Sequence, residues 1–390
     1  MNKKLPQIIA LFFCCILLIV TFSGCIEKEQ KSEKKELSVP EIKLDQPSIL
    51  PDWKDGEYHD YYGTMDLLNE FQVKYPDLVN VFSIGKSVLG KDIWCIRITN
   101  EKNNQAKLSC LIDGCIHGSE WEAGEACLYL TEYLLINFDD NATVTNILNN
   151  SEVYIVPLLN SDGRQENTRW NENGIDLNRN FDIDFGRLRG SVLRIGTPLG
   201  FIKIPYLEFP RLGLFYSNCG RRAFSEPESR AIRDFMNEIW SEDFSFYINC
   251  HTAAHCIAGP WFAFKPPFKM TQHEIDIINY VTTWVEENTE YEGYKSGELM
   301  LYEGKPYYSS GCIFDWFFKE FHIPSFIFEI LSDDYEMYMG PGKHDHLVHW
   351  MKTTLPVFMY LLVNIDNLRQ WRTPDIQPSL PEGVPPEPLQ

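Results

Sequence analysis

His117 and Glu120 stand three residues apart in Asp113-Gly-Cys-Ile-His117-Gly-Ser-Glu120, an imidazole and a carboxylate carried on one tight turn. A histidine and a glutamate so placed can supply two of the three protein ligands of a catalytic zinc ion, leaving the fourth position to water. Alone the pattern is weak, because His-x-x-Glu recurs by chance. Other polar residues at comparable positions give it meaning. His251 closes the run Phe244-Ser-Phe-Tyr-Ile-Asn-Cys250, and Glu329 lies in the apolar run Ser325-Phe-Ile-Phe-Glu329-Ile330. Two histidines and a glutamate, with a further glutamate beside them, are what metal-assisted amide hydrolysis needs. The metal makes a hydroxide and the free carboxylate shuttles its proton.

The surrounding elements must bring these groups together. Leu108, Cys110, Leu111 and Ile112 predict a short buried strand, and Ala123, Ala126, Cys127, Leu130 and Leu134 recur at the spacing of a buried helix stripe. His117 and Glu120 therefore fall at the edge of a sheet, where strands end and helices begin and where open α/β sheets bind ligands. Upstream, a helix is expected from Tyr58-His-Asp-Tyr61 through Met65, Leu68 and Phe71 to Tyr75, then strands at Val81–Ile84 and Ile93–Ile98. A strand from Val153 to Leu158 runs into Asn160-Ser-Asp-Gly163, and the stretch from Arg169 to Phe181 is too rich in Asn and Gly for a helix or a strand. Residues 186–218 show no sustained period and are expected to form a long insertion. Ser225 is the expected N-cap of a helix through Ile232, Phe235, Met236 and Ile239, followed by an alternating strand from Phe244 to Cys250 that delivers His251. A helix near Gln272–Asn288, a Tyr/Gly-rich loop to Gly311, a short helix from Phe314, the strand ending at Glu329 and a helix near His346–Ile365 complete the chain.

The length of 390 residues allows one large α/β domain or two medium ones, and the net charge of −20 argues against a nucleic-acid partner. Residues 1–25 form an expected signal peptide or membrane anchor: Lys3 and Lys4 precede an apolar run from Leu5 to Phe22, and Phe22-Ser-Gly-Cys25 resembles a lipoprotein signal whose cysteine is lipidated. Residues 26–57 are Lys/Glu-rich, then Pro-containing, and are expected to be a solvated linker; 58–370 form the catalytic domain and 371–390 a Pro-rich disordered tail. Beyond the first segment lie Cys95, Cys110, Cys115, Cys127, Cys219, Cys250, Cys256 and Cys312. An exported context would permit disulfides, yet Cys95, Cys110 and Cys250 lie in strand-like runs and Cys127 on a helix stripe, where a thiol packs as a small hydrophobe. No Cys-x-x-Cys pair points to a thiolate metal site.

From about Tyr58 to about Ile365 the chain carries, in order, Gly-Cys-Ile-His-Gly-Ser-Glu, Asn-Ser-Asp-Gly, Asp-Leu-Asn-Arg-Asn-Phe, Phe-Ser-Glu-Pro-Glu-Ser, Asn-Cys-His, Tyr-Tyr-Ser-Ser-Gly and Phe-Glu. In this series it resembles the zinc metallocarboxypeptidases of the carboxypeptidase A type, with Arg169 at a position like that of the Gly-Arg-x-Asn motif in the carboxypeptidase N and E branch. The resemblance implies an α/β fold, a three-layer α/β/α sandwich around a mixed, twisted, roughly eight-stranded sheet. It implies that His117, Glu120 and His251 hold one zinc ion, that Glu329 is the general base and that Arg169 polarises the scissile carbonyl. Asn178 and Arg179 would grip the substrate's free C-terminal carboxylate, and Tyr307, eight residues before Asp315, would close over the substrate. Tyr308 is the alternative for that role, and His255 is expected to be a bystander. Phe314 would form the floor of the pocket for the departing residue.

The chain departs from the pattern at Ser119, where carboxypeptidase A has an arginine, and in the 186–218 insertion. No domain-sized segment precedes Tyr58, so an inhibitory prodomain is not expected. The function that follows is a zinc exopeptidase acting on peptide or protein C-termini, with apolar residues preferred because neither Phe314 nor Gly259-Pro-Trp261-Phe262 offers a carboxylate. The expected location is the cell surface, on the outer face of the cytoplasmic membrane and held there by the N-terminal segment, or outside the cell. The alternatives are a cell-wall stem-peptide peptidase or amide deacylase on the same scaffold, and an inactive peptide-binding module.

Overall fold

The computed structural model describes residues 48–187, 218–296, 298, 307–331 and 346–370, together with the backbone of four short strands at 193–197, 200–204, 301–302 and 305–306. Residues 1–47, most of the 186–218 insertion and the tail from 371 lie outside the described residues, and with them the expected signal segment, most of the linker and Cys25. Among the described residues no helix is long and apolar enough to cross a membrane.

Twelve strands and nine helices are described. The strands are β1 (Val79–Lys86), β2 (Asp92–Ile98), β3 (Leu108–Asp113), β4 (Ser151–Val156), β5 (Leu193–Thr197), β6 (Gly200–Ile204), β7 (Phe244–His251), β8 (Cys256–Ala258), β9 (Glu292–Tyr294), β10 (Leu301–Tyr302), β11 (Lys305–Pro306) and β12 (Ser325–Glu329). The helices are α1 (Tyr61–Lys74), α2 (Trp121–Asn137), α3 (Ala142–Asn150), α4 (Ser161–Glu166), α5 (Pro227–Ile239), α6 (Gln272–Asn288), α7 (Ile313–Phe321), α8 (Leu347–Val363) and α9 (Ile365–Gln370). One eight-stranded sheet runs in the order β1-β2-β4-β3-β7-β12-β8-β9. Its centre is parallel, β4 to β3 to β7 to β12, while β1, β2 and β8 pair antiparallel with their inner neighbours. This is the expected α/β architecture, a mixed sheet with flanking helices.

Parallel strands covered on both faces bury every residue, so they appear in sequence as apolar runs. β7 shows why its expected alternation of exposure is absent: all its residues are buried. The alternation survives in chemistry, because Ser245, Tyr247, Asn249 and His251 share one face while Phe244, Phe246, Ile248 and Cys250 share the other. The eight described cysteines are buried free thiols, among them Cys95, Cys110, Cys127 and Cys250, whose apolar runs predict it.

The helix ends follow local chemistry. Asp60 Oδ1 accepts from Gly63 N at the start of α1, and Thr271 and Glu274 form a reciprocal capping box at α6. At α5 the expected N-cap is corrected by one residue: Glu226 is the cap and Pro227 the first helical residue. Ser225 Oγ is used elsewhere, donating to Glu226 Oε1 and accepting from Asn180 Nδ2. Two further corrections fall in loops. A single 3-10 turn, Leu177–Arg179, interrupts the Asn-rich stretch, and within the insertion β5 and β6 pair as an antiparallel hairpin.

Candidate active site

Three strand ends converge. The loop after β3 is pinned to the end of β4 by Gly114 N donating to Val156 O and by Leu159 N and Asn160 N donating to Gly114 O and Cys115 O. Gly118 has no room for a side chain, because a Cβ there would lie 2.0 Å from the carbonyl carbon of Gly163. This packing sets His117 and Glu120 just before α2, with Glu120 at the N-cap position but making no side-chain cap bond. Its carboxylate is turned instead to the histidines: Oε1 lies 2.7 Å from His117 Nδ1 and Oε2 lies 2.8 Å from His251 Nδ1.

His117, Glu120 and His251 are each buried and each offers a ligand atom, all within 4.8 Å of one another, and among the described residues they are the one such His/Cys/Asp/Glu group. The other nitrogen of each ring is held from behind. His117 Nε2 lies 3.0 Å from Asp176 Oδ1, and His251 Nε2 contacts Asn249 Oδ1. Metal-bound histidines characteristically have their second nitrogen fixed in this way, so both Nδ1 atoms and one carboxylate form a donor set that fits a divalent ion with an open position. Burial would push the Glu120 carboxyl up, and the fields and hydrogen bonds of His117 and His251 outweigh it, holding it well below the usual carboxylate range. Asp176 behaves alike: burial raises it, but Arg169, His117 and Arg179 keep it ionised far below its ordinary value.

A cationic rim adjoins the cluster. Arg169, on the loop after α4, places Nη1 3.3 Å from Glu120 Oε1 and Nε 3.1 Å from Asp176 Oδ2, and its side chain stays 29 % exposed. Arg179, at the end of the 3-10 turn, is buried; its Nη2 donates to the Tyr307 hydroxyl at 2.6 Å and its Nη1 to Asn178 O at 2.7 Å. The Tyr307 segment reaches it because Gly311, at φ 71°, packs where a Cβ would meet Arg179 O at 2.3 Å. Tyr308 points elsewhere and packs edge-on against Phe264. Asn178 is fixed at both ends of its amide, Oδ1 accepting from Ile313 N and Nδ2 lying 3.1 Å from His251 Nε2.

Glu329 ends β12 as the register partner of His251 and is nearly buried. Phe314 is fully buried, and Phe262 packs edge-to-face against both Phe314 and Tyr307. His255 lies apart from this group, its ring against Tyr291 and Trp350. Thus every residue expected at the site lies in one connected neighbourhood, apart from the bystander. Sequence reasoning assigned no role to Asp176 and Asn249, which hold the two rings. Asn249 was discoverable, since it stands two residues before His251 on one strand and so shares its face.

Comparison with known proteins gives concordant results. A family model described as "Zinc carboxypeptidase" matches residues 64–197 and 214–350. Carboxypeptidase O of Bos taurus is 25 % identical over 228 residues, covering 55 % of this chain and 55 % of that protein, so the match spans about half of the relative's length. Among solved structures, thrombin activatable fibrinolysis inhibitor superposes with a TM-score of 0.62 at 20 % identity, covering 80 % of this chain and 75 % of that one. Carboxypeptidase A from Helicoverpa armigera gives 0.59 at 20 % identity, covering 81 % and 74 %. These two share the fold. With the family model covering both halves of the site, the chain belongs to the zinc carboxypeptidase family.

Proposed function

We infer that the chain is a zinc-dependent exopeptidase hydrolysing the C-terminal peptide bond of peptides or proteins. The observation that carries this is the convergence of His117, Glu120 and His251, with Arg169 touching Glu120 and the buried Arg179 beyond it. His117 and His251 through Nδ1, and Glu120 through its carboxylate, would hold one zinc ion per chain. Bound there, the metal supplies Lewis-acid chemistry, polarising the carbonyl and making the attacking water more acidic.

The protein's own groups do the rest. Glu329, at the end of the strand beside His251, takes the proton from the water and returns it to the leaving amine. Arg169 faces the carbonyl oxygen as it gains charge, where a fixed cation acts most strongly. Arg179 receives the substrate carboxylate in a charge-assisted pair, helped by the amide N–H of Asn178, and Tyr307 closes over the residue being released. A side chain held there meets Phe262 and Phe314, which offer no charge and leave little depth, so apolar C-terminal residues of modest size are preferred.

The catalytic domain spans 58–370. The N-terminal segment holds it at the outer face of the membrane through Cys25, lipidated once the residues before it are cleaved, and a chain made without residues 1–25 is an active soluble enzyme. The test of the activity is cleavage of a blocked dipeptide. The expected result is hydrolysis that is lost on chelation and restored by one equivalent of zinc. One bound zinc per chain with no cleavage of any C-terminal substrate would instead identify a binding module.

A further inference from the structure

A buried polar chain runs from His251 into the interior of the sheet. Tyr247, Asn249 and His251 share one face of β7, and Asp113, the last residue of the adjacent β3, is the register partner of Asn249. Asp113 is fully buried; its Oδ2 accepts from the Tyr247 hydroxyl at 2.5 Å and its Oδ1 accepts from Asn249 Nδ2. Burial pushes the Asp113 carboxyl up to about 7, but a proton taken up can sit on Oδ2 toward Tyr247, so Oδ1 accepts in either state. The nitrogen of the Asn249 amide is therefore fixed on Asp113, and its oxygen is turned to His251 Nε2.

A second amide meets the same ring nitrogen. Asn178 Nδ2 lies 3.1 Å from His251 Nε2, and Asn178 cannot turn over because its oxygen accepts from Ile313 N. The two amides ask opposite things of the ring. Asn249 requires a proton on Nε2, which leaves the Nδ1 lone pair facing Glu120. Asn178 favours a bare Nε2, which puts the proton on Nδ1 and bars that atom from coordination.

We propose that Asp113 is a positioning residue which, by orienting Asn249, selects the His251 tautomer that can bind zinc. It touches neither metal nor substrate. The inference rests on His251 being a zinc ligand.

The test is zinc affinity of the full chain, measured by competition with a chelator, alongside thermal unfolding. In Asp113→Asn, Tyr247 and Asn249 compete for one carbonyl oxygen and the Asn249 amide is free to turn over, so zinc should bind about 10- to 100-fold more weakly. In the exchange D113N/N249D the carboxylate moves next to His251, where it accepts from Nε2 and from the new amide, whose oxygen accepts from Tyr247. All bonds are remade at unchanged charge, and affinity should return close to that of the wild type. Undiminished affinity in Asp113→Asn overturns the proposal, as does an exchanged pair that unfolds at the wild-type temperature yet binds as weakly as the single variant. Should Asp113→Asn not fold, the exchanged pair alone decides, since wild-type affinity supports the proposal and weak binding overturns it. His251→Ala binding zinc as tightly as the wild type would defeat the zinc-site reading itself, whatever Asp113 does.

Discussion

Glu329 and His251 are register partners at the ends of two adjacent parallel strands, β12 and β7. The pairing places a carboxylate beside an imidazole that lies 2.8 Å from Glu120. Both strands are buried along their whole length, so their register is fixed by the core. A slip of one residue would turn Glu329 to the opposite face of the sheet.

Glu329→Gln keeps the volume and polarity of the side chain while removing its capacity to take a proton. Zinc content should be unchanged and turnover should fall by about 10²- to 10⁴-fold, the usual worth of general acid–base catalysis. Single-turnover kinetics on the zinc-loaded variant check this, and near-normal turnover would remove Glu329 from the mechanism.

Arg179→Lys retains the charge but loses the planar fork. A charge-assisted hydrogen bond is worth about 1.5–3 kcal/mol, so kcat/KM for a peptide with a free C-terminus should drop about 10- to 150-fold. The amidated peptide should stay uncleaved by wild type and variant alike. An unchanged kcat/KM for the free peptide would place Arg179 outside carboxylate recognition.

Asp315 is buried and accepts from Phe262 N at 3.0 Å and Ala263 N at 2.7 Å. Burial pushes its carboxyl up to about 7 from 3.8, against the pull of those two bonds and of Arg179. The folded state therefore holds a proton that the unfolded state releases. The stability this provides is fully present below about pH 4 and is lost as pH rises toward about 7, by up to about 4 kcal/mol. Asp315→Asn removes the dependence, so relative to wild type it should be more stable at pH 8 than at pH 4. Denaturant unfolding at the two pH values would show it; an unchanged difference would contradict it.

Phe262 is 1 % exposed and stands edge-to-face between Tyr307 and Phe314. Phe262→Ala should cost about 3–5 kcal/mol of stability through the cavity it leaves. The same space should admit a larger departing side chain. A peptide panel differing only in the last residue should show the wild type favouring small apolar residues and the variant shifting toward Leu and Phe. Faster release of Lys or Arg than of Leu by the wild type would show that an acidic group reaches the pocket.

The parts of the site legible in the sequence are those that local chemistry marks. His117, His251 and Glu329 are polar residues at the ends of apolar runs, whereas Arg179 was marked only by the resemblance of Asp-Leu-Asn-Arg-Asn-Phe to the family pattern. The supporting shell was hidden because it depends on which strands become neighbours. Asp113 meets Asn249 only because β3 lies beside β7, and Asp176 reaches His117 only through the turn at Leu177–Arg179. Short elements were missed for a related reason. α3 is a single short helix whose apolar stripe, Val144, Ile147 and Leu148, spans little more than one turn and gains its stability from packing against β4 and α8, and the β5–β6 hairpin has no period long enough to detect.

The central claim is tested most directly by one pair of peptides, identical except that one ends in a free carboxylate and the other in an amide. Supplied to the zinc-loaded protein, the free peptide should lose its last residue and the amidated peptide should remain intact, with all cleavage abolished by a chelator. Equal cleavage of the two, or cleavage that survives removal of the metal, would contradict a zinc exopeptidase built on His117, Glu120 and His251.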